Sequence, residues 1–147
     1  MIYKIGILMI FVISSIEDIR KKEIFLWEVL VCALLSVASE LMAFLNGSFD
    51  ILDVLLSLLP GAAMLILAFI TREGIGFGDG LIILAAGPAL GLYGLLTTFV
   101  TAVFLSGLFS AIMLVLKKAN RKTKIAFAPF LAVGCAMATA VGYGFGG

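Results

Sequence analysis

Apolar and polar positions fall along this chain in long blocks, with no short alternation that would mark β-strands. A membrane-spanning helix needs about 20 apolar residues, with a usual range of about 17–25. Runs of that order cover residues 24–45, 51–70, 95–116 and 125–143. A shorter run, "LIILAAGPALGLYG", begins at Leu81 and is broken by Pro88 and glycines. The first run, 1–16, has the length of a signal-peptide core. The residues after it, "SSIEDIRKK", contain no small-x-small cleavage site, so it reads as a retained helix that continues into the interface. Asn46-Gly47-Ser48, "REGIGFGDG" and "KKANRKTK" separate the later runs as turn or loop signals. The pattern predicts an all-α polytopic membrane protein. Its architecture is a six-transmembrane-helix bundle with short loops, and residues 1–147 form one domain.

Composition agrees with that class. Hydrophobic residues make up 63% of the chain and charged residues 13%, and the mean hydropathy is +1.26. Such values lie outside the range of soluble domains. The net charge of +1 is small, but the charges are segregated. Nine of the ten basic residues fall in three segments: Arg20 to Lys22, Arg72, and 117–124; the tenth is Lys4. Six spans bring all three segments to one side, which the positive-inside rule makes the cytoplasm. Both termini then lie outside, and the localisation expected is the inner (cytoplasmic) membrane. The lipid bilayer is the expected partner, and nucleic acid is not. Small residues recur at four-residue spacing in Gly87/Gly91, Ala102/Ser106/Ser110 and Gly107/Ala111, and are expected to be bundle contacts.

The chain has no histidine, which excludes Ser-His-Asp and Cys-His catalysis and argues against an ordinary zinc site. Cys32 and Cys135 sit far apart inside apolar runs and read as packing residues. No metal or cofactor is expected. Acids inside a membrane protein are costly and tend to be functional. There are nine. Asp50 and Asp53 flank the outer turn, where Asp53 suits the first turn of the third helix. Glu40 is expected near the outer end of the second helix. Glu23, Glu28 and Glu73 lie beside basic residues and read as interfacial charge pairs. Asp18 and Asp79 differ, because the topology brings them to the same depth on the same side. For each there is a plain structural reading: Asp79 as a helix N-cap, Asp18 as an acid paired with Arg20 or Lys21. The alternative is chemical. Two aspartates at close range share a proton, so one can activate a water while the other donates to the developing oxyanion or leaving amine. Gly76 and Gly78 would leave room for an extended peptide to approach.

Three stretches resemble the type IV prepilin peptidases, which belong to the GxGD membrane aspartic proteases. "GFGD", Gly76 to Asp79, is similar to the GxGD signature. "DIRKKEI", Asp18 to Ile24, is similar to the family's first aspartate segment. "IAFAPFLAVG", Ile125 to Gly134, is similar to the opening of its last helix. They occur in family order. The resemblance implies a peptidase that removes the short basic leader of prepilin-like proteins at the cytoplasmic face, with Asp18 and Asp79 as its catalytic aspartates. With only "RKKEIFLW" between the first two helices, the chain looks like the short, peptidase-only kind, and methyl transfer is not expected. Leu81 stands where many members have a lysine, and "EIFLW" replaces a common proline-asparagine pair. Glu17, Glu23 and Glu73 are expected to attract the basic leader over about a Debye length, roughly 8–10 Å. Two rival readings remain. One is a Ser-Lys peptidase using Ser14 or Ser15 with Lys21 or Lys22. The other is a non-enzymatic small membrane transporter or structural subunit, with Glu40 and Asp53 as its intramembrane charges.

Overall fold

The computed structural model describes residues 2–21, 26–70, 77–118 and 126–145, with residues 143–145 described by backbone alone. All regular structure in these residues is helical: α1 (Ile2–Lys21), α2 (Leu26–Leu45), α3 (Ile51–Ile70), α4 (Phe77–Val115) and α5 (Ala128–Phe145). The all-α expectation therefore holds. Five helices lie among the described residues, and the fourth and fifth apolar runs both fall in α4.

That element is not continuous helix. Gly91 sits at φ 70°, ψ 167°, a region open in practice only to glycine. It divides α4 into arms 77–90 and 92–115. Leu95 comes back against Gly87, where an added Cβ would meet the leucine Cδ2 at 3.3 Å. In an unbroken helix those residues would stand about 12 Å apart, so the chain reverses here. Asp53 holds the reversal. Its Oδ1 accepts the Leu92 N–H at 3.2 Å, satisfying an amide that the start of the second arm leaves without a helical acceptor. Asp53 does lie in the first turn of α3, as its sequence position predicts. Its partner there is the α4 bend.

The first arm of α4 lies against α3. Successive contacts pair Ser57 with Gly87, Gly61 with Leu84 and Leu65 with Gly80, so the two run antiparallel. An added Cβ on Gly61 would lie 2.5 Å from the Leu84 Cα, a backbone approach that a side chain would prevent. Gly87 fulfils the small-residue expectation in the same way. Gly107 does not; it is exposed, with open space where a Cβ would be.

α1 buries one stripe, Ile7, Ile10, Phe11, Ser14 and Asp18, at helical spacing. α2 buries Glu28, Cys32 and Ser36, each four residues from the next. The core joins Ile7, Phe11, Cys32, Met64, Ile82, Leu95, Leu131 and Cys135. Outside it, large apolar side chains such as Leu34, Leu55 and Phe104 are exposed. α2, α3 and α4 are each long and apolar enough to cross a membrane. α1 is as long as α2 but carries Lys4, Glu17 and Asp18. Bilayer contact accounts for the uncovered apolar surface.

Candidate active site

The buried stripe of α1 ends on a charge. Asp18 is 8% exposed, and it closes an apolar series that began at Ile7. Its Oδ2 accepts the backbone N–H of Ala128, the first residue of α5, at 3.3 Å. Helices leave their first N–H groups without partners, and a carboxylate is a strong acceptor at that end. Asp18 thus ties the end of α1 to the start of α5, and its hydrogen bond goes to that helix, where the sequence would pair it with Arg20 or Lys21.

Asp79 is also 8% exposed. α4 begins at Phe77, so Asp79 lies inside the first turn and not before it. Its Oδ1 is buried with no hydrogen-bond partner among the described residues. The N-cap reading therefore does not describe this oxygen, since a cap must accept a backbone N–H. The Asp18 carboxylate lies close enough for its charge to act on Asp79. Two aspartates 61 positions apart thus lie within electrostatic reach of each other.

The other expected site residues are placed unevenly. Gly78 is half-buried in the first turn of α4. Glu17 is half-buried beside Asp18, and its Oε2 has no hydrogen-bond partner among the described residues. Gly76, Glu23 and Glu73 lie outside the described residues. Glu28, read from sequence as an interfacial charge, is fully buried. The four-residue spacing Glu28, Cys32, Ser36 along α2 was the signal for this, and proximity to basic residues concealed it. Of the Ser-Lys candidates, Ser14 faces the core and Lys21 is exposed; Lys22 lies outside the described residues. Glu40 lies within electrostatic reach of Asp53. No group of three or more acids or cysteines that could hold a metal ion is found among the described residues.

A cavity of about 470 Å³ lies elsewhere, lined by Ser36, Glu40, Phe44, Phe49, Val54 and Pro88 among others. Pro88 is nine residues beyond Asp79, which turns it about half a revolution around the helix. The cavity is therefore on the far side of the arm from the two aspartates.

The fold and site together define an α-helical membrane protein with two buried aspartates at one end of its bundle. The chain belongs to the type IV leader peptidase family, whose profile matches residues 5–115 and so spans both aspartates. It is accordingly a leader-peptidase-like protease, a hydrolase. Comparison with curated proteins gives no match, and comparison with solved structures gives none.

Proposed function

We propose that this chain is a membrane aspartic endopeptidase that removes the basic leader of a prepilin-like protein at the cytoplasmic membrane face. The observation carrying this reading is that Asp18, near the end of α1, and Asp79, near the start of α4, are both buried and within electrostatic reach of each other. Family membership supports the reaction class. The two arms of α4 count as two passes. With α1, α2, α3 and α5 they make six, leaving both termini outside and the aspartates on the basic, cytoplasmic side of the inner membrane.

The chemistry follows from what each carboxyl touches. Asp18 accepts an N–H and acts as the ionised base. Asp79, whose Oδ1 has no donor, carries the proton. A water between them loses a proton to Asp18 and attacks the scissile carbonyl, while Asp79 donates to the developing oxyanion or the leaving amine. The substrate's apolar helix packs laterally against the bundle. Gly76 and Gly78 give its extended segment room, and Glu17, Glu23 and Glu73 attract its basic leader. No cofactor takes part.

The test is co-expression with a leader-bearing substrate, read by the mobility shift on leader loss. Asp18→Asn and Asp79→Asn each abolish the shift while the protein remains in the membrane. Full processing by either variant would overturn the assignment.

A further inference from the structure

Among the described residues, the buried hydroxyl side chains are Ser14, Ser36, Ser57 and Thr98. Ser36 donates to the Ala85 carbonyl, Ser57 to Val54 and Thr98 to Gly94. Ser14 differs from them. It is 1% exposed, and its Oγ is enclosed with no hydrogen-bond partner among the described residues. Buried polar atoms are seldom left so, because an unmade bond carries the full cost of the water removed. A helical serine or threonine can bond the carbonyl three or four residues back, as Ser57 and Thr98 do. Ser14 leaves that carbonyl unused. Its neighbour one turn on is Asp18, four residues along the same buried stripe of α1. That spacing sets their Cβ atoms about 5–6 Å apart. Helical side chains lean towards the N-terminus, so the Asp18 side chain leans back over the turn that carries Ser14. Asp79, within electrostatic reach of Asp18, adds a second enclosed oxygen without a partner, its Oδ1. Each of these two oxygens lacks a partner, so they do not bond each other.

We propose that Ser14 is a positioning residue of the peptidase: its hydroxyl holds the nucleophilic water against Asp18. This rests on the function proposed above. An enclosed water is held by about three polar groups. Asp18, Asp79 and Ser14 make up that number, and the last two each have an oxygen uncommitted within the described residues. The water donates one hydrogen to the Asp18 carboxylate, the hydrogen it gives up on attack. It donates the other to the Ser14 Oγ. With both hydrogens fixed, a lone pair on the water oxygen is aimed at the scissile carbonyl, towards which Asp79 carries its proton. Without Ser14 the water swings about its bond to Asp18 and reaches the attacking geometry less often. Ser14 neither gains nor loses a proton in this step and forms no bond to the substrate. That separates it from a serine nucleophile. Its hydroxyl is also dispensable to the fold, since it bonds nothing among the described residues.

The experiment uses the full-length protein in lipid nanodiscs and a synthetic peptide with a basic leader and an apolar helix. Wild type, Ser14→Ala, Ser14→Thr and Asp18→Asn are compared. Ser14→Ala lowers kcat about ten- to a hundredfold and leaves KM unchanged. Its Tm does not fall, because the hydroxyl removed had no bond to lose. Ser14→Thr restores a hydroxyl and recovers most of the rate. Infrared spectra of the protein without peptide, in ordinary and heavy-oxygen water, give a second readout. A bound water shows there as an O–H band that shifts with the isotope, present in the wild type and lost in Ser14→Ala. A kcat for Ser14→Ala within about twofold of the wild type overturns the inference. So does a water band that Ser14→Ala leaves in place, or a well-folded Ser14→Thr that recovers nothing. A fall in Tm that accounts for the lost rate assigns Ser14 to packing and overturns it too. Inactive Ser14→Ala beside fully active Asp18→Asn would overturn the function instead, in favour of a serine nucleophile. Wild-type protein that cleaves nothing would likewise overturn the function, and the water band would still decide the role of Ser14.

Discussion

Asp18 has two jobs in this account, and substitutions can separate them. It holds α5 through the Ala128 N–H, and it activates water. Asp18→Asn keeps an amide oxygen that can accept from Ala128 but has no basic carboxylate. Asp18→Ala loses both. A hydrogen bond to a charged group contributes about 1.5–3 kcal/mol, and a neutral one about 1 kcal/mol. Asp18 is buried, so little solvent screening applies. Asp18→Ala should therefore cost about 1.5–3 kcal/mol and leave a helix-end amide without a partner. Asp18→Asn should cost only about 1 kcal/mol. At about 2–4 °C per kcal/mol, the Tm falls by roughly 3–12 °C for alanine and by a few degrees for asparagine. Activity should not follow this order. Loss of a general base costs on the order of a hundredfold or more, so both variants are inactive. The assays are thermal unfolding in detergent and cleavage of a leader-bearing peptide. Asparagine activity above a tenth of the wild type would refute the catalytic role. Equal destabilisation by asparagine and alanine would refute the clamp.

Three further outcomes are expected. Gly61→Ala forces a methyl group onto the backbone of α4 at Leu84 and should lower stability by about 1–3 kcal/mol, read from the unfolding midpoint. Asp53→Ala should destabilise by about 1–2 kcal/mol through loss of the Leu92 N–H acceptor while the folded fraction still cleaves substrate; abolished cleavage in well-folded Asp53→Ala protein would favour the transporter-like reading of that acid. Cleavage by the wild type should fall on both sides of an optimum pH, because the pair works only while it holds one proton; a plateau extending to high pH would contradict a shared proton.

Much of the bundle was legible in the apolar runs. Helix α3, Ile51–Ile70, covers the third apolar run. The turn after the run "LIILAAGPALGLYG" was visible in its glycines and in the alternation of six spans; its anchor was not. The bend at Gly91 depends on Asp53, 38 positions earlier, and such a contact leaves no mark in local composition. Asp18 and Asp79 could be paired from alternation of spans alone. The bond from Ala128 to Asp18 could not, since it joins the first helix to the last. The full burial of Glu28 was not foreseen, because its closeness to Lys21 and Lys22 in sequence suggested an interfacial charge pair. Its place on the Cys32–Ser36 stripe outweighs that proximity and turns it inward.

The most direct measurement follows oxygen from water into product. Purified protein in nanodiscs is given the leader-bearing peptide in heavy-oxygen water, and the released leader is weighed. One heavy oxygen at its new carboxyl terminus, formed by the wild type and absent from Asp79→Asn, is the predicted result. Equal labelled product from Asp79→Asn, or product with no heavy oxygen from the wild type, would contradict a water activated between the two aspartates.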